Sequence, residues 1–349
     1  MPPHRIFLTF ILNACILQGA GHDHPAKNDF YGKECSMHRR PDAALMVAAA
    51  FTVVLAQTLL AQSGTPGYPL SNNAYSLVHK PVPGATGSYR ITRLDETVDS
   101  EGRITSRARS TGLFIRQALF VNDDGTWTDR YTWKSFSTGR TEGAADSIPQ
   151  AAVSAVQGFV YDIASTDRLS LPPIGVGGLA KTPETFAFFV LAWDAATFVH
   201  TVAATPSYPL HRINRIGDQV TETAGRLAAQ FDFTPVVSSF SYARRPMTTA
   251  FAGLSLAGRI PCGMLRFEAP ANPIAYVFST DRQQIQVKGA EWISGATLVS
   301  LEDASLVAGE MQNTMIAAQT VTMPGKTIQA PFIVRQHITL DRVSEGASE

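Results

Sequence analysis

The stretch LFIRQALFVNDDGTWTDRYTWKSF, residues 113–136, decides the fold. Two runs rich in β-branched and aromatic residues flank Asn122-Asp123-Asp124-Gly125. Asp-Gly supplies the positive backbone angles that a tight hairpin turn needs. On the return arm Trp127, Asp129, Tyr131 and Trp133 fall at spacing two and alternate with Thr128, Arg130, Thr132 and Lys134. That alternation belongs to a half-buried strand. Upstream, residues 89–96 alternate in places, Asp99-Ser100-Glu101-Gly102 reads as a turn, and residues 104–109 read as a further strand. With 113–121 and 127–136, these runs predict four successive strands of an antiparallel meander.

Further along, 139–149 reads as a polar loop, 153–163 as either strand or helix, and 168–171 as a short strand. Residues 182–204 then carry the one strong helix signal. Thr182 suits the cap, Pro183 the first turn, and Glu184 the positive end of the dipole. Phe186, Phe188, Phe189, Leu191, Trp193, Phe198 and Val199 make this helix apolar nearly all round, so it is buried or lies in a groove. Pro206 and Pro209 close it. Strands resume at 211–222, 225–233, 236–243, 259–268, 275–280, 284–287, 291–301, 315–321 and 332–343. The expected fold is mainly β: antiparallel barrel- or sandwich-like sheets with one long buried α-helix, about 182–204. A membrane-spanning barrel is the alternative, opposed by the buried helix, irregular strand lengths and lack of a regular aromatic girdle.

The totals narrow the function classes. The chain has 349 residues, with Lys plus Arg and Asp plus Glu both at 29. Zero net charge favours neither nucleic acid nor an anionic membrane surface as a partner. Hydrophobic content of 45% is enough for a packed core. Residues 37–62, MHRRPDAALMVAAAFTVVLAQTLLAQ, hold a basic Arg39-Arg40 pair, an apolar run and small residues near Ala56 and Ala61. These are the parts of a secretory signal peptide. We therefore expect Met37 to be the start and residues 1–36 an over-extended, disordered N-terminus. Two other readings stand beside it: residues 43–61 retained as a membrane anchor, and a lipobox-like ending at Cys15. All three place a β-rich domain of residues 63–343 outside the cytoplasm: periplasmic, secreted or envelope-associated. The strand-rich segments on either side of the helix permit two β-rich parts, and 344–349 is an expected disordered tail. Without Cys15 and Cys35, Cys262 stands alone, unable to form an internal disulfide or a thiolate metal cage.

Several stretches imitate known sites. The loop GVGGLAKT, from Gly175, resembles a phosphate-binding loop, yet Ala180 replaces the glycine before Lys181, and Pro183 removes an N–H. A weaker reading keeps Lys181 and Thr182 as holders of a simple anion. Gly253-Leu254-Ser255-Leu256-Ala257 approaches a nucleophile elbow, but no helix signal follows Ser255. The carboxylate pairs Asp95-Glu96, Asp123-Asp124 and Glu302-Asp303 fit turns and strand ends. His79, His200, His211 and His337 share no metal-ligand spacing. No motif requires a cofactor or a metal.

The aromatic groups carry the sharper expectation. Trp127, Tyr131 and Trp133 share a strand face, and Phe186, Phe189 and Trp193 share a helix face. The two faces either pack on each other as core or line a cavity for an apolar ligand. The sequence thus points to an exported, non-catalytic protein binding an apolar small molecule, a lipid or an envelope partner. Its rivals are a secreted hydrolase using Ser255 or a carboxylate pair, and a structural surface protein.

Overall fold

A computed structural model describes residues 74–122, 126–164, 178–204, 208–223, 227–234, 236–279 and 283–344. The signal-like segment 37–62, everything else before residue 74, the expected strand 168–171, the glycines at 175 and 177, the Asp-Asp-Gly of the hairpin turn and the tail 345–349 lie outside the described residues.

The meander has three strands, β1 (Thr86–Val98), β2 (Ile104–Val121) and β3 (Trp127–Glu142). The hairpin closes where expected, with Asn122 N donating to Thr126 O at 2.7 Å. The break expected between 109 and 113 is absent, because Gly112 serves β2 from within. A Cβ there would lie 2.4 Å from the Trp133 ring. Opposite it, Phe114 pairs with Trp133 and Leu113 with Ser135, so Lys134 is the extra residue of a bulge. The bulge lets Trp133 and Phe136 both face inward.

β4 (Ala151–Ala152) and β5 (Val160–Ala164) pair with β3, with a 3-10 turn at Ser154–Val156 between them. Helix α1 (Pro183–His200) follows, shorter at its C-terminal end than 182–204. Thr201 ends it by donating its hydroxyl to Phe198 O at 2.7 Å. The strand expected over 211–222 is a 3-10 turn at Leu210–Arg212 and a short β6 (Gln219–Thr221). The rest is β7 (Leu227–Phe233), β8 (Val237–Arg244), β9 (Thr248–Ala257), β10 (Ile260–Ser279), β11 (Gln284–Ser300), β12 (Leu306–Met323) and β13 (Lys326–Val343).

The thirteen strands among the described residues belong to one antiparallel sheet. Its main order is β4-β3-β2-β1-β13-β12-β11-β10-β8-β7, with β9 and β6 added beside the first half of β10. β1 pairs with β13 over eleven residue pairs and so joins the segments before and after the helix. A bulge between Ala269 and Asn272, with Ala271 at φ +39°, lets β10 change neighbour from β9 to β8. The sheet curls around α1. Phe188 meets Trp133 of β3 at 4.8 Å between ring centroids, and Phe186 meets Phe233 of β7 at 5.3 Å. Those strands stand near opposite ends of the order, yet they touch side chains two residues apart on one helix turn.

One inner row of the sheet seats the helix. Gly112, Ile91, Leu340, Gly309 and Thr297 are successive cross-strand partners on β2, β1, β13, β12 and β11. A Cβ at Gly112 would meet Leu191 at 3.2 Å, one at Gly309 would lie 2.5 Å from the Phe198 ring, and Thr201 bonds Thr297 at 3.1 Å. From Leu191 to Thr201 the helix rises about 15 Å, close to the ~19 Å spanned by five strands. Thus α1 lies across the strands along this row.

The outer face has a different chemistry. The row Arg107, Glu96, Arg335, Thr314 and Trp292 runs across the same five strands, with Arg107 Nε at 2.9 Å from Glu96 Oε1. In the next rows His337 Nε2 lies 2.9 Å from Glu310 Oε1. Charged groups at mid-strand suit water, where a membrane-spanning barrel would carry an apolar band.

The glycine row predicts a sharp contrast. Gly309→Val, which drives a side chain into Phe198, is expected to cost about 2–3 kcal/mol. Gln312→Val on the outer face of the same strand is expected to stay within about 0.5 kcal/mol of the parent. Denaturant midpoints of the two variants check this. Equal midpoints would mean that α1 is not seated on this row.

Candidate ligand cavity between the helix and the sheet

Because α1 crosses the strands, it divides the inner face of the sheet. On one side of the helix Phe188, Leu191, Ala195 and Phe198 join Tyr89, Phe114, Trp133 and Leu306 in the main core. On the other side Phe186, Phe189, Val190, Trp193 and Thr197 form one wall of a cavity of about 870 Å³. This explains a helix that is apolar nearly all round: one face is packed and the other walls the cavity. The volume is within the range of small-molecule sites. Along β12 the lining runs from Met311 to Gln319, which is about 26 Å of strand. The far end is a second apolar cluster built on Val287, Met315, Val321 and Val334, with Tyr276, Phe278 and Phe332 against it.

Between the helix and that cluster lies a belt of polar groups. Arg93 of β1 is buried and donates Nη1 to Asp194 of α1 at 2.7 Å, while its Nε and Nη2 bind Asp95. Burial works against the Arg93 charge, but the two carboxylates prevail and hold its pKa above the ordinary value. Burial pushes Asp194 up to about 6 against the pull of Arg93, which leaves it ionised at neutral pH and tied to the sheet. Glu291 of β11 accepts from the Tyr242 hydroxyl at 3.1 Å and from Asn313 Nδ2 at 3.3 Å. Burial, with nearby Asp194 adding to it, carries Glu291 up to about 7. Around these groups Asn313 Oδ1, Gln319 Nε2, Gln336 Oε1 and Arg244 Nε are buried without a hydrogen-bond partner among the described residues, and all four side chains line the cavity. Asn313 and Gln336 are directly opposite each other on β12 and β13. Such atoms are costly when they stay unpaired.

The expected aromatic wall splits in two. Phe186, Phe189 and Trp193 line the cavity. Trp127, Tyr131 and Trp133 do not; all three are fully buried, Tyr131 and Trp133 within the main core. Trp127 Nε1 and Arg116 Nε converge on Asp129 Oδ2 at 2.8 and 2.7 Å, and Trp133 Nε1 donates to Tyr161 Oη at 3.2 Å. The strand face is therefore packed, and the helix face lines the cavity.

Thr182 caps α1, accepting from Thr185 N at 3.2 Å and donating its own N–H to Thr185 Oγ1 at 2.9 Å. That reciprocal cap occupies backbone donors an anion would need, and Lys181 stands beside it, partly exposed. Ser255 lies in β9 opposite Cys262 of β10. Strand, turn and strand replace the strand, turn and helix of a nucleophile elbow. Asp95 faces in toward Arg93 and Glu96 faces out toward Arg107, so that pair is separated by the sheet. Asp303 Oδ1 accepts from Ser305 N at 3.0 Å within the β11–β12 turn. Among the described residues no cluster of three or more His, Cys, Asp or Glu is placed to hold a metal.

No family model and no curated protein matches the chain. A solved structure from Bacteroides fragilis, described as an exported protein with a YmcC-like fold, is 11% identical, with a TM-score of 0.18, over 78% of this chain and 100% of that one. A porin variant from Rh. blastica is 8% identical, with a TM-score of 0.17, over 74% and 100%. OpdQ from Pseudomonas aeruginosa is 7% identical, with a TM-score of 0.17, over 74% and 98%. TM-scores this low establish no residue-by-residue equivalence.

The raised Glu291 predicts a pH dependence. Its folded pKa lies above its unfolded one, so between about pH 4.5 and 7 the folded chain keeps a proton that the unfolded chain has lost. Its contribution to stability therefore falls as pH rises through this window. Glu291→Gln keeps the size and one acceptor oxygen for Tyr242, and removes the titration. Melting curves are expected to show a smaller loss of stability from pH 4.5 to 7.5 in Glu291→Gln than in the parent. Identical slopes would contradict the raised value.

Proposed function

We propose that this chain is an exported, non-catalytic binding protein of the cell envelope, holding an apolar or amphipathic small molecule between α1 and the inner face of the sheet. The observation that carries this reading is the cavity of about 870 Å³, walled by Phe186, Phe189, Trp193 and the second apolar cluster. A helix face this apolar would collapse onto the sheet unless something else covered it, because each buried large side chain gains ~1.5–3 kcal/mol on leaving water. A ligand supplies that cover. The charged outer rows support a water-filled surrounding, and the signal-like segment 37–62 supports export. A hydrolytic reading would use Asp194 and Glu291, the two carboxylates with raised pKa values in the cavity. Both are held by side chains of the protein, Asp194 by Arg93 and Glu291 by Tyr242 and Asn313, and this favours a structural role for them.

The test is a native mass spectrum of the full-length chain recovered from a bacterial host, followed by titration with the neutral dye Nile red. The expected result is one apolar molecule per chain, or one dye site on the emptied protein. Val190→Trp, which fills the helix side of the cavity, is expected to weaken dye binding by about tenfold or more, or ~1.4 kcal/mol, without lowering the melting temperature. A bare chain that binds no dye would overturn the proposal.

A further inference from the structure

Three arginines are buried among the described residues: Arg93, Arg116 and Arg244. Arg93 and Arg116 each hold a carboxylate at 2.7 Å. Arg244 holds none. It is 1% exposed, the most buried of the three. Its Nη2 meets only the sulfur of Met247, at 3.3 Å, and its Nε has no partner. A guanidinium cannot shed its proton to relieve this, and an uncompensated buried charge is among the most costly features a fold can carry. Glu291 acts on Arg244 through space. With its pKa pushed up to about 7, it supplies only part of a counter-charge at neutral pH, and its oxygens already bind Tyr242 and Asn313.

The surroundings say what is missing. Arg244 lines the cavity. Phe240, Tyr242 and Arg244 alternate along β8 and so share one face. Trp193 of the helix meets Tyr242 at 5.2 Å and Phe240 at 6.1 Å between centroids. The cation therefore stands at the end of an aromatic wall whose other end opens on the apolar cluster with Phe278 and Phe332. We propose that the cavity takes an amphiphile with an anionic head group, a carboxylate or a phosphate, whose charge is met by Arg244 and whose hydrocarbon tail runs along Trp193 and Phe240. This rests on the carrier reading above and names its ligand class. Both kinds of head group form charge-assisted bonds with a guanidinium, and both match its fork of donors.

The test compares three probes of equal tail length on the full-length protein: hexadecanoic acid, hexadecyl phosphate and hexadecanol, each displacing Nile red. The parent is expected to bind at least one of the two anions about tenfold or more tighter than the alcohol, and the tighter anion identifies the head group. Arg244→Gln is expected to bring that anion down to the affinity of the alcohol and leave the alcohol within about twofold. Arg244→Lys, which keeps the charge, should retain most of the preference, so a fold defect in Arg244→Gln does not blur the result. If the parent binds all three equally, the carrier reading stands and the anion site falls. A preference that survives in a folded Arg244→Gln also overturns the assignment to Arg244. Failure of all three to bind removes the carrier reading and this inference together.

Discussion

Everything in this chain depends on how closely α1 can approach the sheet. Gly112 and Gly309 sit on one inner row, and their missing side chains are replaced by Leu191, Trp133 and the Phe198 ring. Interiors are packed to crystal density, so a contact this close fixes the helix in position and direction. The helix then has to lie across the strands, and lying across them it splits the interior. One side closes as a core. On the other side Asp194 reaches Arg93 of β1, Trp193 reaches Tyr242 of β8 and Phe186 reaches Phe233 of β7, and the rest of the helix face and the sheet face stand apart across the cavity.

The buried ions follow from the same placement. Asp194 leaves the helix on the cavity side and reaches Arg93, 101 residues away in sequence. Breaking such a pair leaves a buried charge without a partner, which typically costs ~3–5 kcal/mol. The pair therefore pins the helix at the level where the cavity begins, and the glycine row pins it from the core side. Tyr242, Glu291 and Asn313 continue the polar belt onto the next strands.

Much of the fold was legible in the sequence where the signals were local. Asp124-Gly125 marked a hairpin that Asn122 and Thr126 close, the spacing of Trp127, Tyr131 and Trp133 gave the inward face of β3, and Thr182-Pro183-Glu184 marked the start of α1. Local signals also misled. Ser110-Thr111-Gly112 looks like a break, yet Gly112 is a strand residue that makes room for Trp133. Residues 211–222 looked like a strand and form a turn with three residues of β6. The site was legible only in part. Phe186, Phe189 and Trp193 stood out as a helix stripe, but a helix that is apolar nearly all round does not reveal which face is packed. The polar belt had no signal at all. Arg93, Asp194, Tyr242, Glu291 and Asn313 meet only because β1 pairs with β13 and the helix crosses above them. An arginine in an ordinary strand pattern does not announce that it will be buried without a carboxylate.

The most direct measurement is an experimental structure of the chain purified without stripping its ligands. Elongated density, unexplained by protein, is expected between Trp193 on the helix and Met315 on β12, with α1 still seated on Gly112 and Gly309. An interior in which Phe186, Phe189 and Trp193 pack directly onto Met315 and Val334, leaving no space between them, would contradict it.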